Sequence, residues 1–123
     1  MSDNPKTSQG ALKIQAQLVP PVFHLEVAKA LEEGAAKYGP YNWRRLPVDN
    51  MTYIGAMYRH LAAYLDGEDW DPESTSGKHH LAGIGACCAI LLDALTLGNL
   101  IDGRPAPGMA RLAVRKPFTM EDS

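Results

Sequence analysis

The sequence HLAGIGACCAILLDALTL, residues 80–97, decides the fold because it is apolar around much of its circumference when wound as a helix. Its large residues repeat at helical spacing and predict an apolar stripe formed by Leu81, Ile84, Cys88, Leu91, Leu92 and Leu95. Small residues at 82, 83, 85 and 86 lie among the large ones and let another backbone approach closely. One chain does not cover such a helix, so we expect a homo-oligomer, a dimer or tetramer, with a second subunit packed on it.

Two further helices precede this one in the chain. Apolar residues recur at helical spacing over 22–37, after a pair of prolines, and again over 51–65, before Asp-Gly. The third helix is predicted from 78 or 79 to 97. Proline, glycine and serine predict loops over 41–50 and 69–78, and no strand of consequence is expected.

These elements predict an all-α fold, a small bundle of three main helices completed by oligomerisation. Residues 1–123 are expected to form a single domain, since the chain is long enough to close one core and short for two. An arm over 1–20 begins with about a dozen residues without periodicity, so we expect it to be irregular, and disordered unless a partner or ligand orders it. The tail over 102–123 is also predicted to be irregular. Its apolar residues are expected to pack against a neighbouring subunit: Met109, Leu112, Val114 and Phe118.

Composition and charge exclude several classes of function. The formal net charge is −2 and the basic residues are dispersed, which argues against binding to duplex nucleic acid. No apolar run reaches the roughly 18–20 residues of a membrane span. Cys87 and Cys88 are adjacent within a helical pattern, where a structural disulfide is not expected. We therefore expect a reduced, cytoplasmic protein that does not associate with membranes.

Two clusters carry residues suited to nucleotide chemistry. Residues 37–43, KYGPYNW, combine a cation and amide donors with aromatic planes, which suits binding of a flat heterocycle. Further along, Arg59-His60 is followed by an acidic segment at 68–71 and by His79-His80. Carboxylates and imidazoles are the groups that divalent metals and phosphate chemistry require.

Taken together, these residues resemble the phage-type dATP/dGTP diphosphohydrolases, which are related to the MazG-like all-α nucleotide pyrophosphohydrolases. The resemblance spans most of the chain, and the order and spacing of its pieces make it fairly specific. It departs from the family where Gly83 stands one turn after His80, since members often carry a second histidine there. The pieces that carry the resemblance are Lys13 to Pro21, Gly34-Ala35, Lys37-Tyr38-Gly39, Asn42-Trp43, Arg59-His60-Leu61, Gly67-Glu68, Asp71 with Glu73, Gly77 and His80-Leu81-Ala82.

The resemblance implies metal-dependent hydrolysis of dGTP, dATP or both to the monophosphate and pyrophosphate, in the host cytoplasm if a phage encodes the chain. Water activated by Mg²⁺ or Mn²⁺ would attack the α-phosphorus. The expected metal ligands are Glu68, Asp71, His60 and His80, of which Glu68, Asp71 and His60 are also the expected catalytic residues. Arg59 or Lys37 would grip phosphate oxygens, Tyr38 or Trp43 would stack on the base, and Asn42 would read its edge.

Each of these assignments has a simpler structural alternative. The aromatic residues could cap the bundle, the histidines could be core residues, and the acids at 69–73 could form a solvated loop. Glu33 is interpreted as a surface residue paired with Lys37 and only a reserve ligand, and Asp93 is expected to be exposed. Two other functions stay open: a pyrimidine-specific enzyme of the same class, and a helical nucleotide-binding or interaction module without turnover.

Overall fold

The computed structural model describes residues 4–105. Within them the chain forms helices α1 Pro5–Ala11, α2 Pro21–Tyr38, α3 Asn50–Leu65 and α4 His80–Thr96, and two short strands, β1 Val48–Asp49 and β2 Leu100–Ile101. Single 3₁₀ turns lie at Ala16–Leu18 and Asn42–Arg44. The predicted all-α class is confirmed, and the three long helices begin and end within two residues of the predicted positions. The apolar tail residues after 105 lie outside the described part of the chain.

Helix α4 is the centre of the bundle, because α2 and α3 both pack against it. The core contains Val27 and Ala30 of α2 against Ala82 and Ala86 of α4, with Leu31 partly buried beside them. The predicted stripe of large residues is not the face of α4 that packs against its own chain. Its buried residues are mainly small, whereas most of the predicted stripe is exposed or only half-buried. Exposed members of that stripe are Leu81, Cys88, Leu92 and Leu95.

Glycines on α4 set how closely its neighbours approach. A Cβ added at Gly85 would lie 2.6 Å from Val27 Cγ2 and 3.0 Å from the Phe23 ring, so α2 packs directly on the backbone of α4. A Cβ at Gly83 would lie 2.6 Å from His60 Nε2 of α3. The small residues that we expected to face a second subunit therefore bring the three helices of one chain together.

The N-terminal arm is more ordered than predicted. Residues 5–11 form α1, which begins at Pro5, a residue whose fixed φ suits the first helical position. Asn4 caps this helix by accepting a hydrogen bond from the Lys6 backbone N–H at 2.9 Å. All of its residues are exposed, so local capping rather than core packing accounts for the helix.

The loop after α2 is tied to the far end of α4 by Asp93. Arg44 donates two hydrogen bonds to the Asp93 carboxylate, at 2.8 and 2.9 Å, and Trp43 Nε1 donates a third at 2.7 Å. These bonds lower the pKa of Asp93, with the Arg44 hydrogen bond as the largest cause. Asp93 was predicted to be solvent-exposed, and its half-buried, fully paired carboxylate corrects that expectation. Helical periodicity assigned its face but did not identify the loop that covers it.

Close to this anchor, two parallel strand residues join the segment before α3 to the segment after α4. Val48 pairs with Leu100, and Asn99 donates hydrogen bonds to the carbonyl oxygens of Trp43 and Leu46 at 2.8 and 2.7 Å. The Asn50 side chain forms hydrogen bonds with Asp102 and with the backbone of Gly103.

No helix in the described part of the chain is long and apolar enough to cross a membrane.

Gly85→Ala tests the close packing of α2 on α4. The added methyl group overpacks the Val27 contact, and we expect a net loss of about 1–2 kcal/mol in unfolding free energy, after allowing for the helix propensity that alanine gains. The matched control is Gly34→Ala on α2, where a Cβ meets nothing within 4 Å. That variant should gain about 0.5–1 kcal/mol. Urea unfolding measures both, and equal stabilisation by the two substitutions would contradict the packing described.

Candidate functional site

The loop between α3 and α4 folds back on itself and brings its acids to the start of α4. The Asp71 backbone N–H donates to the Lys78 carbonyl at 2.8 Å, and the His80 backbone N–H donates to the Asp69 carbonyl at 2.9 Å. Gly67 and Gly77 allow the loop to turn, since both have positive φ. The backbone bonds therefore place Asp71 beside His80 although nine positions separate them in the sequence.

Three side chains from three segments converge at this point. His60 of α3, Asp71 of the loop and His80 of α4 each offer a metal-ligating atom, and these atoms lie within 4.8 Å of one another. His80 is buried, whereas His60 and Asp71 are half-buried. The His60 ring contacts His80 directly, with Nδ1 to Nδ1 at 2.8 Å.

Glu68 touches this cluster from the solvent side. Its Oε1 lies 2.7 Å from His80 Nε2, and because a carboxylate only accepts, His80 Nε2–H is the donor. A neutral His80 then has its lone pair on Nδ1, which accepts from His60 Nδ1–H. This arrangement of tautomers satisfies all three groups. Glu68 thereby orients His80 in the way that outer carboxylates orient metal-binding histidines.

Burial and nearby positive charge favour the neutral form of His60. Burial lowers the pKa of His60, and the nearby Lys78 cation lowers it further. The imidazole packs against Gly83, where a side chain would collide with it. The absence of a side chain at Gly83 therefore provides the space that the His60 ring occupies.

A buried carboxylate anchors the second half of the loop. Glu33 of α2 accepts hydrogen bonds from Ser74 Oγ at 2.5 Å and Ser76 Oγ at 2.7 Å, and Lys78 Nζ lies 3.9 Å from its other oxygen. The Ser74 hydrogen bond is the largest cause of the lowered pKa of Glu33. Glu33 was interpreted as a surface residue paired with Lys37, and its side chain, only 6% exposed, corrects that interpretation.

Lys78 links the Glu33 anchor to the histidine cluster. Its ammonium lies 3.7 Å from Asp71 Oδ2 as well as 3.9 Å from Glu33, and its side chain is largely buried. Sequence reasoning did not identify Lys78, Ser74 or Ser76 as site residues. Their contacts with Glu33 join residues about 40 positions apart, which local sequence patterns do not reveal. The sequence showed only that these residues lie in a loop between two candidate ligands.

The residues expected to bind substrate do not all lie near this cluster. Arg59 is exposed and adjoins His60 in sequence, and its charge contributes to the lowered pKa of His60. Trp43 is bonded to Asp93, which lies thirteen positions after His80 on α4, about 20 Å along the helix axis. Asn42 is half-buried beside it, and Lys37 and Tyr38 end α2 with exposed side chains. Within one chain, the loop that carries Trp43 and the histidine cluster therefore lie at opposite ends of α4.

The histidine cluster has the donors that a divalent cation requires. Two neutral imidazoles and one carboxylate supply three protein ligands and leave coordination positions for water or phosphate oxygens. A cation bound among them would replace the hydrogen bond between the two histidine rings. Two nitrogen donors favour Mn²⁺ or a later transition metal over Mg²⁺, which prefers oxygen.

The chain is similar to proteins of one known family. The family described as dATP/dGTP diphosphohydrolase, N-terminal, matches residues 3–104. A dATP/dGTP diphosphohydrolase of Salmonella phage PMBT28 is 36% identical over 77 residues, which are 63% of this chain and 24% of that protein. The chain therefore matches about a quarter of the length of that relative. No solved structure matches the chain.

Metal titration of histidine variants tests the cluster. We expect His60→Ala and His80→Ala each to lower the affinity for Mn²⁺ by about 100-fold or more, because loss of a ligand costs more than loss of an outer partner. His24→Ala is the matched control, since His24 is an exposed histidine on α2. Isothermal titration calorimetry of the purified chain measures the affinities. Equal Mn²⁺ binding by all four proteins would exclude this site.

Ser74→Ala tests the anchoring of the loop by Glu33. Loss of a charge-assisted hydrogen bond to a buried carboxylate should lower the unfolding free energy by about 1.5–3 kcal/mol at neutral pH. Because the pKa of Glu33 is lowered on folding, its contribution is present at neutral pH and is lost as pH falls through that lowered pKa. The difference between wild type and variant should therefore shrink in acid.

Thr75→Ala is the neighbouring control for this experiment, because Thr75 is exposed. Urea unfolding of the three proteins across a pH series measures the effect. A Ser74→Ala deficit that is the same at neutral and acidic pH would show that the serine acts independently of the Glu33 charge.

Proposed function

The chain belongs to the dATP/dGTP diphosphohydrolase, N-terminal, family, and we propose that it hydrolyses purine deoxynucleoside triphosphates to the monophosphate and pyrophosphate. The observation that carries the proposal is the convergence of His60, Asp71 and His80 from three segments of a chain with this family match. A cluster of two imidazoles and a carboxylate suits a cation that also binds phosphate oxygens. The named activity of the phage relative, a dATP/dGTP diphosphohydrolase, is consistent with this substrate class.

The metal-binding residues have distinct roles in this proposal. A bound divalent cation would neutralise the triphosphate and lower the pKa of the attacking water. His60 and His80 would hold it through nitrogen, and Asp71 would contribute a carboxylate oxygen. Glu68, which was expected to be a ligand, is better suited to fixing the His80 tautomer because its carboxylate already accepts from His80 Nε2–H.

Cations beside the cluster suit the phosphate chain of the substrate. Lys78 lies near Asp71, and Arg59 adjoins His60, so we propose that both contact non-bridging phosphate oxygens. Lys78 was not among the residues expected from sequence. The participation of Lys37 in phosphate binding, and of Tyr38, Asn42 and Trp43 in base binding, stays a prediction.

We also propose that the chain works as a homo-oligomer. Large apolar side chains are exposed along α3 and α4, and a groove between these helices is lined by Ile54, Met57, Tyr58, Leu61 and Ile84. Exposed apolar surface of this kind is typical of a subunit interface. A dimer or tetramer would cover the leucines of α4 that its own chain leaves in solvent. A single domain over residues 1–123 and a cytoplasmic location stay predictions.

Hydrolysis assays test the reaction, base and metal together. We expect dGTP or dATP to yield monophosphate with Mn²⁺ or Mg²⁺, and none of the four dNTPs to react in EDTA. Hydrolysis in ¹⁸O-labelled water should place the label in the monophosphate, since water is proposed to attack the α-phosphorus. Label in the pyrophosphate would place the attack at the β-phosphorus instead. Faster hydrolysis of dCTP or dTTP than of dGTP and dATP would contradict purine specificity.

Glu68→Gln separates an enzyme from a binding module. The amide weakens the hold on His80, so we expect activity to fall roughly 10–100-fold while the fold is retained. Glu73→Gln is the matched control in the same loop, because Glu73 is exposed. Raised Mn²⁺ concentration should partly restore Glu68→Gln, and an activity equal to that of the control would remove Glu68 from the site.

A further inference from the structure

A slot opens between the first turns of α2 and the end of the loop, next to the histidine cluster. Its volume is about 300 Å³, and Phe23, Glu26, Trp70 and His79 are among the residues that line it. Trp70 is 56% exposed, so a planar ligand has access to its indole. The His79 ring meets Trp70 edge-on at 5.0 Å between centroids and so helps to hold it in place. The slot has the size and aromatic lining of a site for a flat heterocycle.

The position of the slot relates it to the metal-binding residues. Trp70 immediately precedes Asp71, and His79 immediately precedes His80, while an antiparallel bridge pairs Trp70 with His79. The backbone that presents two candidate metal ligands therefore also presents two walls of the slot. In a nucleotide only the sugar separates the base from the α-phosphate, so a base site must adjoin the centre where the phosphate reacts.

The slot is also lined by the carboxylate of Glu26. Glu26 receives one hydrogen bond, from Lys29 Nζ to Oε1 at 3.2 Å. Its other oxygen, Oε2, lies 3.1 Å from the same ammonium but accepts no hydrogen bond from the described residues, although the atom is buried. Because an ionised carboxylate has about four acceptor positions and this one is paired with a single ammonium on the same helix, it can accept further hydrogen bonds from a ligand in the slot.

We propose that this slot binds the purine base of the substrate and that Glu26 selects guanine, an inference that rests on the proposed function. Guanine presents N1–H and the 2-amino group side by side, and a carboxylate accepts from both. Adenine presents an amino group beside the N1 lone pair, which faces a carboxylate unfavourably. Glu26 therefore favours dGTP over dATP.

The alternative aromatic site is less suited to this role. Trp43 gives its only donor to Asp93, and this contact lies about 20 Å along α4 from His80. The apolar cavity beside Trp43 and Tyr41 contains Glu32, an exposed acid on the same helix as Glu26. Each of the two candidate base sites therefore has one glutamate, Glu26 in the slot and Glu32 in the cavity beside Trp43, and substituting each glutamate in turn shows which site binds the base.

The experiment measures kcat/KM for dGTP and dATP in wild type, Glu26→Gln and Glu32→Gln. We expect wild type to prefer dGTP, and Glu26→Gln to reduce the dGTP-to-dATP ratio about 10-fold, within the range for loss of a paired base contact. Glu32→Gln should leave the ratio unchanged. A ratio altered by Glu32→Gln alone would place the base beside Trp43, and a ratio unchanged in both variants would also overturn the proposal.

Trp70 variants keep the test independent of how well Glu26→Gln folds. Trp70→Leu should raise KM for dGTP more than it lowers kcat, and Trp70→Phe should restore much of the affinity because stacking is retained. If Trp70→Leu changes the subunit count in light scattering and leaves KM unaltered, a second copy of the chain occupies the slot and the proposal fails.

Binding of dGMP and dAMP separates this inference from the hydrolysis itself. Calorimetry should show tighter binding of dGMP, with the difference reduced in Glu26→Gln. If wild type hydrolyses no triphosphate but this pattern holds, the proposed activity fails and the guanine site stands. If wild type hydrolyses dNTPs with equal efficiency for both purines and binds both monophosphates equally, the activity stands and the guanine site fails.

Discussion

The close approach of three helices at the small-residue face of α4 is the constraint on which the rest of the structure depends. Gly85 lets Val27 and Phe23 of α2 rest on its backbone, and Gly83 does the same for His60 of α3. Because packed interiors tolerate little extra volume, these contacts fix the spacing of α2, α3 and α4. The contact at Gly83 also positions a candidate metal ligand. The same helix contacts therefore both close the bundle and place His60 in the candidate metal site.

The sequence predicted the helices well because their limits are marked by local signals. Helix α2 begins at the second of two prolines and is followed by Gly39-Pro40, and Asp66-Gly67 follows α3, so these local signals and the apolar spacing were sufficient. The covered face of α4 was not predictable in the same way. Its leucines and its small residues are both apolar, and periodicity reports that a face is apolar without telling which partner covers it. Exposed leucines and buried glycines show that shape, rather than hydrophobicity, determined the intramolecular contact.

The site was predicted in part for a related reason. Residue types chosen for metal chemistry identified His60, Asp71 and His80, and the structure brings them together. The supporting contacts were missed because each joins residues far apart in sequence, as Ser74 does with Glu33 and Arg44 with Asp93. In both cases a charged residue on a helix was assigned to solvent from its position on the helical wheel. In the folded chain a loop covers each of these carboxylates, and the position of a loop depends on the tertiary fold rather than on the local sequence pattern.

The two tryptophans illustrate how identical side chains acquire different roles from their surroundings. Trp43 donates its indole N–H to Asp93, and with Arg44 it ties a loop to the end of α4, a stabilising arrangement that leaves it little freedom to adapt to a ligand. Trp70 is about half exposed on the loop that carries Asp71, and the slot beside it is lined by the edge of His79 and by the Glu26 carboxylate, which is paired with Lys29. Under our proposal the base binds at the same end of α4 as the candidate metal ligands, because the loop that carries Asp71 also carries Trp70, and this loop would then contribute to both recognition and chemistry.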